Sequence, residues 1–241
     1  MGLNLSLSID PGSLIQTQLL SMKKSFSVLL AALLSLIVIS CKQKRSGKAK
    51  VLVFSKTAGY RHSAIGVGKA AIIKLGQENN FDVDTTENAD WFNEDTLKKY
   101  STVIFLSTTE NVLNYRQEAA FERYIQAGGG FVGIHAATDT EYDWGWYVRM
   151  VGASFVSHPE QQEAKLLVVD KNNNATKHLP AEWVRKDEWY NFTKLDSSLH
   201  VLIKIDEKSY KGGINGDNHP MAWYHDYDGG RAFYTELGHT E

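Results

Sequence analysis

The sequence has 241 residues, 43% of them apolar, and its formal net charge is -2. A chain of this length and apolar content can form one globular domain with its own core. The near-neutral charge gives no electrostatic reason to expect nucleic acid as a partner. The single cysteine excludes an internal disulfide framework and a multi-cysteine zinc site.

The amino-terminal part of the chain is typical of an export signal rather than of a folded domain. Residues 1–21 resemble neither a signal nor a domain, and we interpret them as an upstream extension, with Met22 as the true start. Lys23 and Lys24 then precede an apolar run at residues 26–39. Such a run is too short to span a bilayer comfortably and has the length of a signal-peptide core.

The sequence Val38-Ile39-Ser40-Cys41 resembles the lipobox of bacterial lipoproteins, in which a small residue precedes a cysteine that receives lipid before cleavage. Residues 22–40 are therefore predicted to be a lipoprotein signal peptide, and residues 41–49 a lipidated cysteine with a polar tether. Each buried methylene of an acyl chain contributes ~0.8 kcal/mol, so several chains would hold the protein firmly at a membrane. The sequence thus predicts an exported lipoprotein, periplasmic or at the outer membrane. The alternative is an uncleaved transmembrane anchor with an incidental cysteine.

Strands and helices alternate in the first half of the predicted domain, which covers residues 50–241. Short, β-branched apolar runs predict buried strands, and apolar residues at helical spacing predict the helices between them. In chain order these are strand 50–55, helix 63–77, strand 81–86, helix 94–100, strand 102–107, helix 115–127 and strand 131–134. Alternation of this kind with short connections predicts parallel βαβ units in a doubly wound α/β sheet.

The second half of the domain is less regular. Four further strands are predicted, at residues 164–170, 199–206, 221–225 and 231–236. Asp228-Gly229-Gly230 predicts a hairpin between the last two, because Asp-Gly supplies the positive φ values of a tight turn. A doubly wound fold usually has a covering helix after its last strand, so we expect this sequence to lack the last helix of the domain.

Polar side chains follow two of the predicted strands at the edge where an open parallel sheet binds its ligands. Tyr60, Arg61 and His62 follow the first strand, while His135 and Asp139 follow the fourth. We expect these side chains to converge on one rim, and we assign Tyr60, Arg61 and Asp139 to substrate binding. His62 is either a functional residue of this rim or a solvated loop histidine.

The segment GGGFVGIH, which ends at His135, is typical of a sharp strand-to-helix turn that presents one side chain at the sheet's edge. In class I glutamine amidotransferases a cysteine nucleophile occupies the equivalent turn. Here the residue is histidine, and Cys41 lies in the signal, so thiol chemistry on this domain is excluded. His135 is then a general base, a metal ligand, or a buried histidine hydrogen-bonded to the backbone.

A divalent-metal site is a further hypothesis. His239 also follows a strand, so His62, His135, His239 and a carboxylate such as Glu188 could bind zinc or a similar ion. No compact ligand spacing such as HExxH supports the site. No nucleotide cofactor is expected.

Aromatic residues beside acidic and amide residues suggest a sugar site. Five of the six tryptophans lie beyond residue 143, and we assign Trp144, Trp189 and Trp223 to substrate binding. A flat apolar platform with polar neighbours suits a sugar. The alternative for each of them is an ordinary core tryptophan. Arg61 could bind a sugar hydroxyl or a carboxylate, or pair with Glu110 on the neighbouring loop.

Other polar positions are left without a defined role. Three are open candidates for the site: His158, Asp187 and His219. Three other histidines we interpret as surface or structural residues: His178, His200 and His225.

Four segments together resemble the ThuA-like family, which is named for trehalose utilisation. They are VFSKTAGYRH, GGGFVGIHAATDT, DEWYNF at 187–192 and HPMAWYHDYDGGRAFYTELGHT at 219–240. With their spacing, the resemblance covers residues 49–241. It implies a three-layer, mostly parallel, flavodoxin-like fold of the class I glutamine amidotransferase type without that class's cysteine.

The same resemblance implies a role in sugar catabolism, associated with disaccharides that have been oxidised to 3-keto forms. The signature histidines of the family fall on His62, His135 and His239, with Glu188 and Trp223 beside them. The resemblance therefore implies that these residues line the site. It leaves the reaction itself undefined.

The predicted function is cleavage of a C–O bond in a 3-keto-disaccharide or glycoside, with His62, His135 and Glu188 as catalytic residues. A 3-keto group acidifies the neighbouring C–H, so a histidine base can start elimination or hydrolysis while a metal or Arg61 stabilises the developing oxyanion. Ordinary glycosidase chemistry would need two carboxylates, which Glu188 and Asp139 could supply. The alternatives are a non-catalytic sugar-binding or scaffold lipoprotein and a hydrolase unrelated to sugars. The oligomeric state is left open.

Overall fold

The computed structural model describes residues 47–241. The predicted upstream extension, the signal peptide and Cys41 lie outside the described residues. Within residues 47–241, no helix is both long enough and apolar enough to cross a membrane.

The first half of the domain alternates strands with helices, as predicted. Its elements are β1 (Ala49–Phe54), α1 (Ile65–Glu78), β2 (Phe81–Thr86), α2 (Glu94–Leu97), β3 (Thr102–Leu106), α3 (Tyr115–Gln126) and β4 (Gly130–Ile134). Most predicted bounds agree within two residues, but the helix predicted at 94–100 ends at Leu97. Helix α3 begins at a capping box, because the side-chain oxygens of Asn114 and Gln117 each accept the backbone N–H of the other residue.

The second half contains more strands than the sequence predicts. Its elements are α4 (Gly145–Val151), β5 (Ser154–Ser157), β6 (Gln162–Val168), β7 (Glu182–Asp187), β8 (Asn191–Thr193), β9 (His200–Asp206), β10 (Pro220–Tyr227) and β11 (Gly230–Thr235). The hairpin between β10 and β11 is confirmed, since Asp228 and Gly229 have φ values of 45° and 90°. The sequence pattern did not predict α4, β5, β7 or β8.

Among the described residues, the strands form a nine-stranded sheet in the order β2-β1-β3-β4-β11-β10-β9-β6-β7, with β5 and β8 paired separately. The five strands β2-β1-β3-β4-β11 pair in parallel with one another. The remaining pairs, along β11-β10-β9-β6-β7, are antiparallel. The doubly wound α/β fold is therefore confirmed, and an antiparallel extension widens it.

Helices cover the two faces of the sheet unequally. On one face, Ile72 of α1 packs with Val53 and Ile104 in a small apolar cluster. The other face carries the main core, in which Phe121 of α3 and Met150 of α4 are fully buried. A sheet with helices on both faces is the three-layer arrangement of doubly wound folds. Its parallel strands β1, β3, β4 and β11 have their carboxyl ends at one edge, and that edge carries the candidate site.

Candidate metal centre and cavity

Three histidines and one glutamate meet beyond the strand ends. His62 follows β1, His135 directly follows β4, and His239 follows β11. Because these strands are parallel, the residues after them reach the same edge of the sheet. Glu188 directly follows β7, and the segment after it reaches the end of β11, where the Tyr190 N–H donates to the Glu236 carboxylate at 3.1 Å. The rim predicted from the strand order is therefore present.

His135 stands at a sharp turn with an unusual backbone conformation. Its φ of 52° lies in the left-handed region, which residues other than glycine rarely adopt. A short 3₁₀ turn begins at the same residue, His135–Thr138. The imidazole is fully buried, and its Nδ1 lies 2.8 Å from the backbone carbonyl of Glu236. A carbonyl only accepts, so Nδ1 carries the proton and the Nε2 lone pair is free to face the site.

The Nε2 atom of His135 faces two other members of the group. It lies 3.3 Å from Nδ1 of His239 and 3.4 Å from Oε2 of Glu188. Oε2 of Glu188 is in turn 2.9 Å from Nδ1 of His239. His62 completes the set, and the ligand atoms of all four residues lie within 4.8 Å of one another.

His62 is the least satisfied member of this cluster. It is buried, and its Nδ1 atom has no hydrogen-bond partner. Its ring lies edge-on to the rings of His135 and His239, at centroid distances of 4.7 and 5.0 Å. Buried polar atoms are nearly always paired, so an orphaned imidazole nitrogen beside three other donor groups indicates a position suited to a ligand.

The four groups fit a small divalent cation such as zinc. Bonds of about 2.0–2.2 Å in a tetrahedral geometry place the donor atoms about 3.3 Å apart. The separations of 2.9, 3.3 and 3.4 Å among His135, Glu188 and His239 are close to that spacing. The ligand atom of His62 lies within 4.8 Å of the other three. Supporting contacts are also present, because the backbone carbonyl of Glu236 fixes His135 and the side-chain amide of Gln161 lies 2.8 Å from Nε2 of His239. Such outer partners orient metal-binding histidines.

Electrostatics favour the forms of His62, His239 and Glu188 that bind a cation. Burial, together with the neighbouring His135 and His239, lowers the pKa of His62 to about 3, so its ring is neutral. Burial likewise lowers the pKa of His239. Burial opposes ionisation of Glu188, but its close contact with His135 and the neighbouring His239 and His158 bring its pKa below the ordinary value. Neutral imidazoles and an ionised carboxylate are the required ligand states.

The cluster opens onto a cavity of about 420 Å³. Its lining residues are Tyr60, His62, Asp139, Phe155, His158, Gln161, Glu188, Tyr190 and His239. A cavity of this volume is within the range of small-molecule sites. It combines aromatic surface with acceptor and donor groups.

Asp139 also lines the cavity, and its carboxyl group does not belong to the ligand cluster. Burial, and next the charge of Glu110, raise the pKa of Asp139 to about 7. The Tyr142 hydroxyl donates a hydrogen bond to it. A carboxyl group that titrates near neutral pH can both take up and release a proton.

Four predicted substrate-binding residues lie elsewhere. Trp189 and Trp223 have no exposed surface, and their indole N–H groups donate to the backbone carbonyls of Gln162 and Val151. Their assignment as sugar platforms is therefore wrong, and the alternative of core tryptophans holds.

Trp144 and Arg61 are also outside the cavity lining. Trp144 stacks on Trp146 at 5.1 Å, against the core. Arg61 forms a two-point ion pair with Glu87 at 3.1 and 2.9 Å instead of pairing with Glu110, and it faces away as an exposed surface pair.

His158, an open candidate for the site from the sequence, lines the cavity, as do Phe155 and Gln161, which the sequence did not indicate. His158 Nδ1 lies 3.2 Å from Oε1 of Glu188. These residues belong to β5 and the loop after it. The strand is only four residues long, so its pattern gave no signal that could place the following residues at the rim. By contrast, His225 is structural as expected, since it binds a backbone carbonyl in the core.

The comparisons with known proteins identify the family. A family model described as ThuA, trehalose utilisation, matches residues 50–241. The chain belongs to the ThuA family. No curated protein sequence matches it. The family expected from the sequence segments is therefore confirmed.

Solved structures agree with this placement. A ThuA-like protein from Bacteroides uniformis has 25% identity and a TM-score of 0.67, with 83% of this chain and 85% of that chain covered. A ThuA-like protein from Parabacteroides merdae has 22% identity and a TM-score of 0.65, with 80% and 81% covered. A β-galactosidase from Bacillus circulans shares the fold alone, at 14% identity and a TM-score of 0.53 over 80% of this chain and 29% of that enzyme. The flavodoxin-like, amidotransferase-type architecture of this ThuA protein is thus confirmed.

Proposed function

We propose that this ThuA-family protein is a metal-dependent enzyme that cleaves the C–O bond of a 3-keto-disaccharide or glycoside. The observation that carries the proposal is the convergence of His62, His135, Glu188 and His239, with ligand atoms within 4.8 Å, at the wall of a cavity of about 420 Å³. The family's description, trehalose utilisation, supports a sugar substrate.

A bound divalent ion would act as a Lewis acid toward the keto oxygen of the substrate. The three histidines and Glu188 would hold that ion through the lone pairs that face the centre of the cluster. A lone pair that binds a cation cannot also accept a proton. His62 and His135, which the sequence suggested as bases, therefore act as ligands in this proposal.

Asp139 is the group best suited to move the proton. It lines the cavity and does not belong to the ligand cluster. Its carboxylate takes the proton from the carbon between the keto group and the anomeric carbon. The electron pair of that C–H bond forms a C=C bond to the anomeric carbon as the C–O bond to the leaving sugar breaks. The departing alkoxide takes up one proton, which protonated Asp139 returns, so the atoms and charges balance.

The test begins with metal analysis of the purified protein and continues with turnover of a 3-keto-disaccharide by the metal-loaded form. We expect His62→Ala and His135→Ala to lose both bound metal and turnover. His178→Ala is the matched control, because that histidine is exposed and outside the cluster. Full turnover by both cluster variants would contradict the proposal. Tight sugar binding without turnover by the wild type would instead favour the non-catalytic sugar-binding protein.

We also propose that the protein is exported and held at a membrane by lipid on Cys41. The support is the lipobox-like sequence that ends at this cysteine, after the positive start and the apolar run. In this proposal the protein binds a small sugar outside the cytoplasm. It uses neither nucleic acid as a partner nor a nucleotide cofactor.

A further inference from the structure

A buried carboxylate lies behind the ligand cluster and contacts two segments that carry ligands. Asp187, the last residue of β7, has no exposed surface. Its Oδ1 atom accepts the backbone N–H of Glu188 at 3.0 Å and that of Thr240 at 3.1 Å. Its Oδ2 atom lies 3.4 Å from the N–H of Gly238. The backbone groups on both sides of His239 therefore point at one carboxylate.

Arg185 of β7 strengthens the same contact. Its Nε donates to Oδ2 of Asp187 at 3.0 Å, and its Nη2 donates to the Thr240 hydroxyl at 3.1 Å. A hydrogen bond to an ionised acceptor is stronger than one between neutral groups. Asp187 thus binds the backbone of residues 238–240, and Arg185 binds both Asp187 and the Thr240 side chain.

The sheet alone does not hold the His239 segment in place. Strand β11 ends at Thr235, so the ladder with β4 stops before His239. Gly238, with a φ of 134°, passes so close to β4 that an added Cβ would lie 3.2 Å from Ile134 Cγ2. Asp187 binds the backbone N–H groups of Gly238 and Thr240 and so helps to hold this segment next to His135.

We propose that Asp187 is a positioning residue of the metal centre, which sets Glu188 and His239 at the separation that one cation needs. This inference rests on the proposed metal site, and Asp187 is not itself a ligand. One carboxylate binds the backbone of both ligand-bearing segments, although Asp187 and Thr240 are 53 residues apart in the sequence. Their relative position therefore depends on its two oxygen atoms.

The test variant is Asp187→Asn, which keeps the size of the side chain. The amide NH₂ group of the variant side chain would then face an N–H donor of Arg185 or of the backbone. Two donors repel each other, so one of the present hydrogen bonds is replaced by a repulsive contact. We expect the affinity for Zn²⁺, measured by competition with a chromophoric chelator, to fall about 10- to 100-fold, as for other outer-sphere partners of metal ligands. The absorption spectrum of the Co²⁺-loaded protein should shift, because the ligand geometry changes.

Glu141→Gln is the matched control. Glu141 is also a buried carboxylate that accepts two backbone N–H groups, those of Val112 and Leu113 at 2.9 and 2.8 Å, but it does not contact the cluster. We expect this variant to lose stability while keeping the Zn²⁺ affinity and the Co²⁺ spectrum. If Asp187→Asn fails to fold, Arg185→Met is measured in its place, with a smaller loss of affinity expected.

A double-mutant comparison separates this inference from the proposed site. In a His239→Ala background, Asp187→Asn should weaken Zn²⁺ binding less than in the wild type, because one of the two positioned ligands is already gone. If wild type and His239→Ala bind Zn²⁺ equally, the proposed metal site fails. If the wild type depends on His239 but Asp187→Asn and Arg185→Met bind Zn²⁺ as the wild type does, the site stands and the positioning role is overturned.

Discussion

Oε2 of Glu188 lies 2.9 Å from Nδ1 of His239, although the two residues follow strands from different parts of the sheet. A carboxylate oxygen and an imidazole nitrogen at this distance share either a proton or a cation. His135 Nε2 lies within 3.4 Å of both, and the Nδ1 atom of His62 has no partner. A cation satisfies all four groups at once, whereas a single shared proton leaves His62 unpaired.

The first prediction concerns removal of one ligand. His239→Ala should lower the affinity for Zn²⁺ by more than about 100-fold, because a ligand contributes more than the outer partners that orient it. Wild type should also gain thermal stability when Zn²⁺ is added, since a ligand bound only by the folded state stabilises it. Calorimetric titration and thermal unfolding with and without Zn²⁺ measure both effects. His178→Ala should behave as wild type, and an equal response of the two variants would count against the site.

The second prediction concerns the pH dependence that Asp139 gives to turnover. Its carboxylate form is the base, and burial raises its pKa to about 7, so kcat/KM should rise with pH and level off above that value. Asp139→Asn should reduce kcat by at least about 100-fold while binding Zn²⁺ normally. A pH profile of kcat/KM together with metal analysis makes the measurement. Wild-type turnover in Asp139→Asn would assign the base elsewhere.

Asp139→Asn should lower turnover but raise the stability of the fold. The pKa of Asp139 is higher in the folded chain, about 7, than its ordinary value of 3.8. Its favourable contribution is therefore complete below about pH 4 and is lost as the pH rises through about 7. Asparagine has no charge to bury, so Asp139→Asn should raise Tm at pH 8 by about 2–4 °C, corresponding to ~1 kcal/mol. The gain should shrink at pH 5, and a gain that is independent of pH would contradict the burial argument.

The third prediction concerns the proposed lipid anchor. Wild type expressed in a bacterium should incorporate labelled palmitate and fractionate with membranes, because several acyl chains provide firm anchoring. Cys41→Ala should lose the label and remain uncleaved. Ser40→Ala is the control, since it keeps a small residue before the cysteine. Equal labelling of Cys41→Ala and wild type would show that lipid is attached at another position or not at all.

Strands β1 and β3 were predictable because most of their residues are apolar and buried inside the sheet, whereas β2 is an edge strand without buried residues. Runs such as residues 102–106 are almost continuously apolar, and their length and turn residues separate them from helices. The carboxyl ends of the parallel strands then place His62 and His135 on one rim by topology alone. The antiparallel extension was harder to predict, because β7 alternates exposed and partly buried residues and includes charged side chains.

The tryptophans show what sequence patterns leave open. Trp189 and Trp223 lie beside acidic and polar residues in the sequence, but neighbouring side chains can face opposite ways. Trp189, in the segment between β7 and β8, turns into the core, while its neighbour Glu188 turns to the cluster. Composition around a residue identifies a mixed segment and does not tell which of its side chains reaches the cavity.

The fourth prediction compares a core and a cavity aromatic residue. Trp223→Phe removes the N–H that binds the Val151 carbonyl in a fully buried position, so it should destabilise the fold by ~1–3 kcal/mol without changing KM. Tyr60 is 65% exposed and lines the cavity, so Tyr60→Ala should leave stability unchanged and raise KM about 5-fold through lost stacking on the sugar. Urea unfolding and steady-state kinetics on both variants make the comparison. A raised KM in Trp223→Phe with unchanged KM in Tyr60→Ala would restore tryptophan as the sugar platform.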